Sequence, residues 1–147
     1  MEWSQIISDP TLQDLPYKIE QNEWGHIEMS PASNKHSFIQ GVLLIMIYQH
    51  CQNGRVLPEC SIQTAKGVKV AAVVWVSEQF LAEFNTTTPY PRAPELCVEI
   101  ISPSNSDAEM AHKIDLYLAR GAQEVWLCDL NGHLRFHTYD GPHPQST

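Results

Sequence analysis

The sequence predicts an α/β fold, a mixed sheet with helices packed against it and an N-terminal β-hairpin. Three observations predict it. Val68, Val70, Val73, Val74 and Val76 are β-branched and nearly continuous, the pattern of a strand buried on both faces. Ser106 followed by Glu109 is a capping box, so a helix opens directly after an apolar strand. Met110, Ile114, Tyr117 and Leu118 then recur at helical spacing. The order that results is hairpin, helix, three strands, helix, two strands. The 147 residues read as one domain, 1–147, with a core of about 16–139.

The elements follow in order. Two prolines and weak periodicity make the chain up to Pro16 a loop with one helical turn. Tyr17–Glu20 and His26–Ser30 flank Asn22 and Gly25, which are turn residues, so they form a hairpin. Pro31 ends it. Asn34 caps a helix over Lys35–Gln52. That helix is apolar on most sides, from Phe38 and Ile39 to Met46 and Ile47, and needs cover on more than one face. A sheet supplies one cover, and a second helix or a second subunit the other.

Asn53 and Gly54 close the helix. Arg55–Ile62 and Val68–Ser77 are strands that turn at Lys66 and Gly67, and Ser77 caps a short helix through Phe84. Residues 85–94 form a loop, and Glu95–Ser102 a further apolar strand. Gly121 stops the capped helix. Glu124–Cys128 is a strand, Asp129–Gly132 a turn and His133–Tyr139 a last alternating strand. From Gly141 on, proline and polar residues read as a frayed tail.

Composition excludes several classes. Nine Lys and Arg against 17 Asp and Glu give a net charge of −8, which argues against a polybasic nucleic-acid coat. It leaves open a nucleic-acid enzyme, whose metal-holding carboxylates are themselves negative. The longest apolar run, Val42–Tyr48, falls well short of the roughly 20 residues a membrane span needs. Met1–Ser4 lack the basic and apolar regions of a signal peptide. Cys51, Cys60, Cys97 and Cys128 include no CxxC pair, so reduced thiols and the cytoplasm are expected, and no spacing supports a zinc site.

Glu99 is the first residue that invites chemistry. It lies between Val98 and Ile100 in an apolar strand, so its carboxylate faces either solvent or a site. Period two places Glu95, Cys97, Glu99 and Ile101 on one mixed face. A half-buried Glu99 needs a cation or donors, because an unpaired buried carboxylate costs several kcal/mol. Lys113 is the candidate cation. Its helical neighbours Met110 and Tyr117 are apolar, so it sits beside the buried stripe. The bland alternative is a snorkelling lysine at the edge of that stripe.

The segment Ala93-Pro94-Glu95-Leu96-Cys97-Val98-Glu99-Ile100-Ile101-Ser102-Pro103-Ser104, the helix carrying Lys113 and Tyr117, Gly121, and Glu124-Val125-Trp126-Leu127 together resemble the Uma-two family. That family belongs to the restriction-endonuclease-like (PD-(D/E)xK) nuclease superfamily. Met29-Ser30-Pro31 with His36, and Gly67-Val68-Lys69-Val70 ahead of Val74-Trp75-Val76-Ser77, resemble it too. The resemblance covers about residues 16–139.

The resemblance implies a restriction-endonuclease-like sheet and hydrolysis of DNA phosphodiesters with Mg²⁺ or Mn²⁺. It maps a metal-binding Glu to Glu99 and moves the lysine, usually two residues later, where Ile101 stands, to Lys113. A further Glu in the hairpin would complete the site, Glu20 in preference to Glu28. His36 and Tyr117 would support it. The family pattern places an Asp where this chain has Ala72. By descent or by alteration, one metal ligand is gone, and Mg²⁺ needs preorganised anionic oxygens. Glu99 and Lys113 are expected to point into one cleft lined by Ala72.

The leading reading is therefore a metal-dependent DNA endonuclease with an incomplete metal site. A silent homodimeric binding or assembly module of the same fold, using the apolar first helix, is the second. A small enzyme or metalloprotein unrelated to nucleic acid, using the histidines, is the third. The DNA partner comes from the resemblance, because basic residues near the presumed cleft are few.

Overall fold

The computed structural model describes residues 2–15, 17–31, 33–51 and 53–146. The expected loop end at Pro16 and helix end at Gln52 lie outside the described residues. Where one helical turn is expected at the N-terminus there are two short pieces, α1 (Trp3–Ser8) and a 3₁₀ turn (Pro10–Leu12). They form because Trp3 and Ile6 have somewhere to bury: both join a cluster with Val68 and Val70. Strands β1 (Tyr17–Gln21) and β2 (Ile27–Pro31) make the hairpin, antiparallel with Glu20 opposite Glu28.

Helix α2 spans Asn34–His50. Its cap is Ser33, not Asn34: the Ser33 hydroxyl accepts the His36 N–H at 3.1 Å from an extended backbone, and Asn34 is already helical. Strands β3 (Arg55–Thr64) and β4 (Gly67–Val76) form a long hairpin, and α3 (Glu78–Phe84) starts at a Ser77 cap. Strand β5 (Leu96–Ile100) leads into α4 (Asp107–Ala119), which opens with the expected Ser106–Glu109 capping box. Strands β6 (Glu124–Cys128) and β7 (Leu134–Thr138) follow.

The frayed tail is a correction. Gly141–His143 form β8, which pairs with β7 through Phe136 and His143. Gly141 turns with φ +105, and Pro142 is tolerated because β8 is the sheet's edge.

The six-stranded sheet runs β3-β4-β5-β6-β7-β8. Strands β5 and β6 are parallel and the other pairs antiparallel, so the sheet is mixed. Neighbouring residues go to opposite faces. Cys97 and Val125 pack with Met110, Ile114 and Tyr117 of α4. Val98 and Trp126 pack with Ile39, Leu43 and Ile47 of α2. Among the described residues, no helix is long and apolar enough to cross a membrane.

Two irregularities place the site. Strand β4 pairs with β5 only from Val73 to Trp75, so residues 67–72 have no ladder partner on β5. Across from Ala72, between the pairs Pro58–Val73 and Cys60–Ala71, Glu59 takes φ +50. The sheet thus splays open beside the end of β5. The β1–β2 hairpin fills part of that opening and packs on β4. Gly67 (φ +90) permits this approach: a Cβ there would lie 2.2 Å from the Gln21 carbonyl oxygen and 2.4 Å from that of Asn22. We expect Gly67→Ala to cost at least about 1–3 kcal/mol in urea unfolding, through left-handed strain and the displaced hairpin. An unchanged midpoint would show that the hairpin does not depend on this contact.

Candidate functional site

Glu99 occupies a strand whose five residues are all buried, and it is 2% exposed. It shares its face with Cys97, which looks at α4. The turn after β5 brings the chain back: the Ser102 N–H donates to Asn105 Oδ1 at 2.9 Å, and Ser106 then caps α4. On α4, Lys113 and Tyr117 are four residues apart and point the same way. The Tyr117 hydroxyl donates to Glu99 Oε1 at 2.7 Å. The Lys113 Nζ lies 3.7 Å from Glu99 Oε2.

The hairpin closes the other side. Glu20 is 6% exposed, and its Oε2 accepts from the Val70 N–H at 2.7 Å and from Lys113 Nζ at 2.9 Å. Val70 lies in the part of β4 that lacks a β5 partner, so a carboxylate takes up a donor there. Lys18, two residues before Glu20 on the same strand face, donates to Glu99 Oε2 at 3.2 Å. Glu28, the less favoured hairpin carboxylate, lies opposite Glu20 but is more than half exposed and pairs with Lys69 at 3.3 Å. Glu20, Glu99, Lys113, Lys18 and Tyr117 thus form one network drawn from β1, β5 and α4.

His36, at the start of α2, lines the same cleft with Gln40, Glu59, Lys18, Glu99 and Lys113. Ala72 does not line it. Its methyl is fully buried in the cluster with Ile39, Leu43 and Ile47. Only its carbonyl faces the site's wall, where it accepts from Gln40 Nε2 at 2.7 Å. Continuing the β4–β5 register by one step would set position 72 beside Glu99.

Lys18, Gln40 and Glu59 line the cleft without a mark in the sequence expectations. Lys18 was legible in principle, since period two puts it beside Glu20. Glu59 was not, because nothing in Leu57-Pro58-Glu59-Cys60 announces a left-handed residue inside a strand. Gln40 Nε2 donates to Glu59 Oε1 at 2.8 Å.

The electrostatics follow from burial and pairing. Burial pushes the Glu99 carboxyl up, and Lys113, Lys18 and the Tyr117 hydroxyl together outweigh it, so Glu99 is held below the usual carboxylate range. Burial pulls the Lys113 ammonium down, but Glu99 and Glu20 more than reverse this and hold it charged. Tyr117 is raised well above an ordinary phenol, by burial first and then by Glu99. Burial, and next Lys18, lower His36. Burial raises Glu59 against the pull of Lys18. Lys113 and Tyr117 are thus poor proton acceptors and donors near neutrality, and Glu99 is an ionised acceptor already in use.

The splayed sheet, with helices on both faces and an N-terminal hairpin, defines a restriction-endonuclease-like α/β fold. Residues 12–142 match the model of the family Uma2, described as "Putative restriction endonuclease", and the chain belongs to that family. Among solved structures it is similar to a crystal structure from Anabaena variabilis described as a "putative nuclease belonging to DUF820". The two share 21% identity at a TM-score of 0.66, over 88% of this chain and 73% of that one, a likeness of fold. No curated protein matches the chain.

Restriction-endonuclease-like proteins generally use divalent metals. The donor set here is right in kind, since Glu20 and Glu99 offer hard oxygens. It does not fit in arrangement. Glu99 Oε1 is taken by Tyr117, Glu99 Oε2 by Lys18, and Glu20 Oε2 by Val70 and Lys113. No group of three or more His, Cys, Asp or Glu side chains among the described residues is disposed to hold a metal ion.

The pairing has a consequence for acid stability. A carboxyl held lower in the folded chain stabilises fully above its unfolded value, 4.5, and loses that stabilisation as pH falls through the folded value. We expect the urea midpoint to fall as pH drops below about 4.5, and Glu99→Gln to flatten that part of the profile. A profile unchanged by Glu99→Gln would mean that Glu99 is not held ionised by its partners.

Proposed function

We propose that this protein is a nuclease-fold member of its family, acting in the cytoplasm, whose Mg²⁺- or Mn²⁺-dependent hydrolysis of DNA phosphodiesters is disabled at position 72. One observation carries the reading: Glu20, Glu99 and Lys113 meet where the sheet splays; position 72, where the family pattern has its Asp, carries a methyl that packs against α2. In the complete site, Glu99 and Glu20 would hold the ion and Lys113 would face the charge on the phosphate. Tyr117 orients Glu99, and His36 supports the cleft wall. DNA as the substrate rests on the family; the net charge of −8 gives it no help.

What this chain's own residues do is bind and orient. Tyr117 fixes one oxygen of Glu99. Lys113 ties Glu20 to Glu99, which sets the hairpin against α4. Glu20 and Glu99 are committed to ammonium groups, so neither carboxylate is free to take a proton from water as arranged.

The expected outcome in plasmid nicking with Mg²⁺ or Mn²⁺ is little cleavage by this chain and a gain with Ala72→Asp. One charge-assisted contact, about 1.5–3 kcal/mol, corresponds to roughly ten- to a hundredfold. Adding Glu99→Ala to Ala72→Asp should return cleavage to the starting level. Robust cleavage by the unaltered chain would refute the incomplete site.

A second reading, a silent homodimeric module, is favoured by α2. Phe38, Val42, Ile45 and Tyr48 form an outward stripe spaced four, three and three residues, and Phe38 and Tyr48 are 74% and 75% exposed. Gly41 lies beside it, and a Cβ added there would meet nothing within 4 Å, which leaves room for a second helix to come close. A second copy of this chain, crossing about a two-fold axis, matches the stripe with itself. Sedimentation equilibrium should give a dimer, and Ile45→Glu a folded monomer. A monomer at high micromolar concentration would end this reading.

A further inference from the structure

We propose that Lys18 stands in the place of the divalent cation, so that this cleft is closed to metal by its own side chain as well as by the loss at position 72. The inference rests on the nuclease reading of the cleft and explains why its carboxylates are not arranged for an ion.

The argument starts from oxygen count. Of the four oxygens of Glu20 and Glu99, Oε1 of Glu99 is fixed by the buried Tyr117 hydroxyl and Oε2 of Glu20 by a backbone N–H. The oxygen of Glu99 left for a cleft ligand is Oε2. Two ammonium groups address it: Lys18 at 3.2 Å and Lys113 at 3.7 Å. Lys113 has its closer partner in Glu20, at 2.9 Å. Lys18 has Glu99 alone among its ion pairs, and its side chain reaches the oxygen from the cleft's open side at 15% exposure.

Charge count points the same way. Two buried carboxylates face two ammonium groups, so the four side chains sum to zero. A dication entering such a group meets no net attraction, and it must displace an ammonium from the oxygen it needs. Glu59 is tied to Gln40 of α2 and has no bond to either ammonium, so it stands outside this group of four. A further carboxylate within reach of Glu99 Oε2 would tip the balance towards a cation. With Ala72, Lys18 suffices to neutralise Glu99.

Lys18 is reachable by mutation because it lies on a two-stranded hairpin outside the main sheet. It acts through Glu99 and is a positioning residue. The test measures Mn²⁺ binding by electron paramagnetic resonance, on the full chain and on Lys18→Met, Ala72→Asp and the double variant. Thermal unfolding checks that each is folded. We expect no binding by the unaltered chain at millimolar Mn²⁺ and measurable binding by Lys18→Met. The double variant should bind at least about tenfold tighter than Ala72→Asp, a change of one hydrogen-bonded charge.

Where Lys18→Met does not fold, Lys18→Gln keeps a donor to Glu99 without the charge and should bind as the Met variant would. Lys18→Arg should exclude Mn²⁺ as Lys18 does. Binding by the double variant no tighter than by Ala72→Asp overturns the proposal, and so does equal binding by the Arg and Gln variants. Plasmid nicking separates this from the nuclease reading. Tight Mn²⁺ binding by the double variant without any cleavage supports Lys18's role and sinks the nuclease. Cleavage by Ala72→Asp with metal affinity indifferent to Lys18 does the reverse.

Discussion

Glu20 and Glu99 are buried carboxylates on different pieces of chain, and neither can be buried alone. The cost of an unpaired charge in this setting is several kcal/mol, a large fraction of a domain's whole stability. Lys113 meets both of them, and this one ammonium therefore couples the N-terminal hairpin to the central sheet through α4. Lys18 adds a second tie in the same direction. The β1–β2 hairpin is outside the six-stranded sheet and makes no ladder with it. Its position is set by charge pairing, by the Glu20–Val70 contact and by the close approach at Gly67. The candidate site is in this sense also a joint of the fold.

That joint exists because β4 outlasts β5. Strand β5 has five residues and β4 has ten, and only three β4 residues pair across. A sheet that parts company in this way exposes backbone donors and a wedge of space beside a strand end. Both invite polar side chains into what is otherwise core. The carboxylate of Glu20 answers the Val70 N–H, and Gln40 of α2 answers the Ala72 carbonyl while also holding Glu59. The cleft is thus lined by groups that first satisfy the backbone, and its chemistry is built on what they have left.

Much of this was legible in the sequence where a local rule and a tertiary role agree. The Ser106–Glu109 capping box, the valine-rich β4 and the period of α4 are local signals, and α4 and β6 lie where those signals put them. Glu99 stood out because an apolar strand makes a carboxylate conspicuous. Lys113 stood out because a stripe makes a lysine conspicuous. Lys18 sits in Tyr17-Lys18-Ile19-Glu20, an alternating segment that reads as an ordinary hairpin; period two sets it beside Glu20, but only the fold brings it to Glu99. Glu59 depends on a left-handed backbone imposed by the sheet's splay, which no residue type there requires. Strand β8 was read as a tail because Pro142 and His143 carry no strand propensity; an edge position supplies the pairing that propensity does not. Lys18 and Glu59 owe their states to partners on other elements, Glu99 and Gln40.

The same accounting bears on why a fold of this class can persist with a methyl at position 72. A site that binds a dication must hold excess negative charge when empty, and that excess is a standing cost to the folded chain. In this cleft two lysines balance two glutamates. The Ala72 methyl meanwhile packs against Ile39, Leu43 and Ile47, and its carbonyl is bonded by Gln40. The cleft then needs no ion to be stable. Metal affinity and self-sufficient burial pull in opposite directions at this position, and with Ala72 the balance lies with burial. The apolar stripe of α2 lies outside that trade, on the helix's solvent side, so a chain with no working cleft would still keep a surface through which to act.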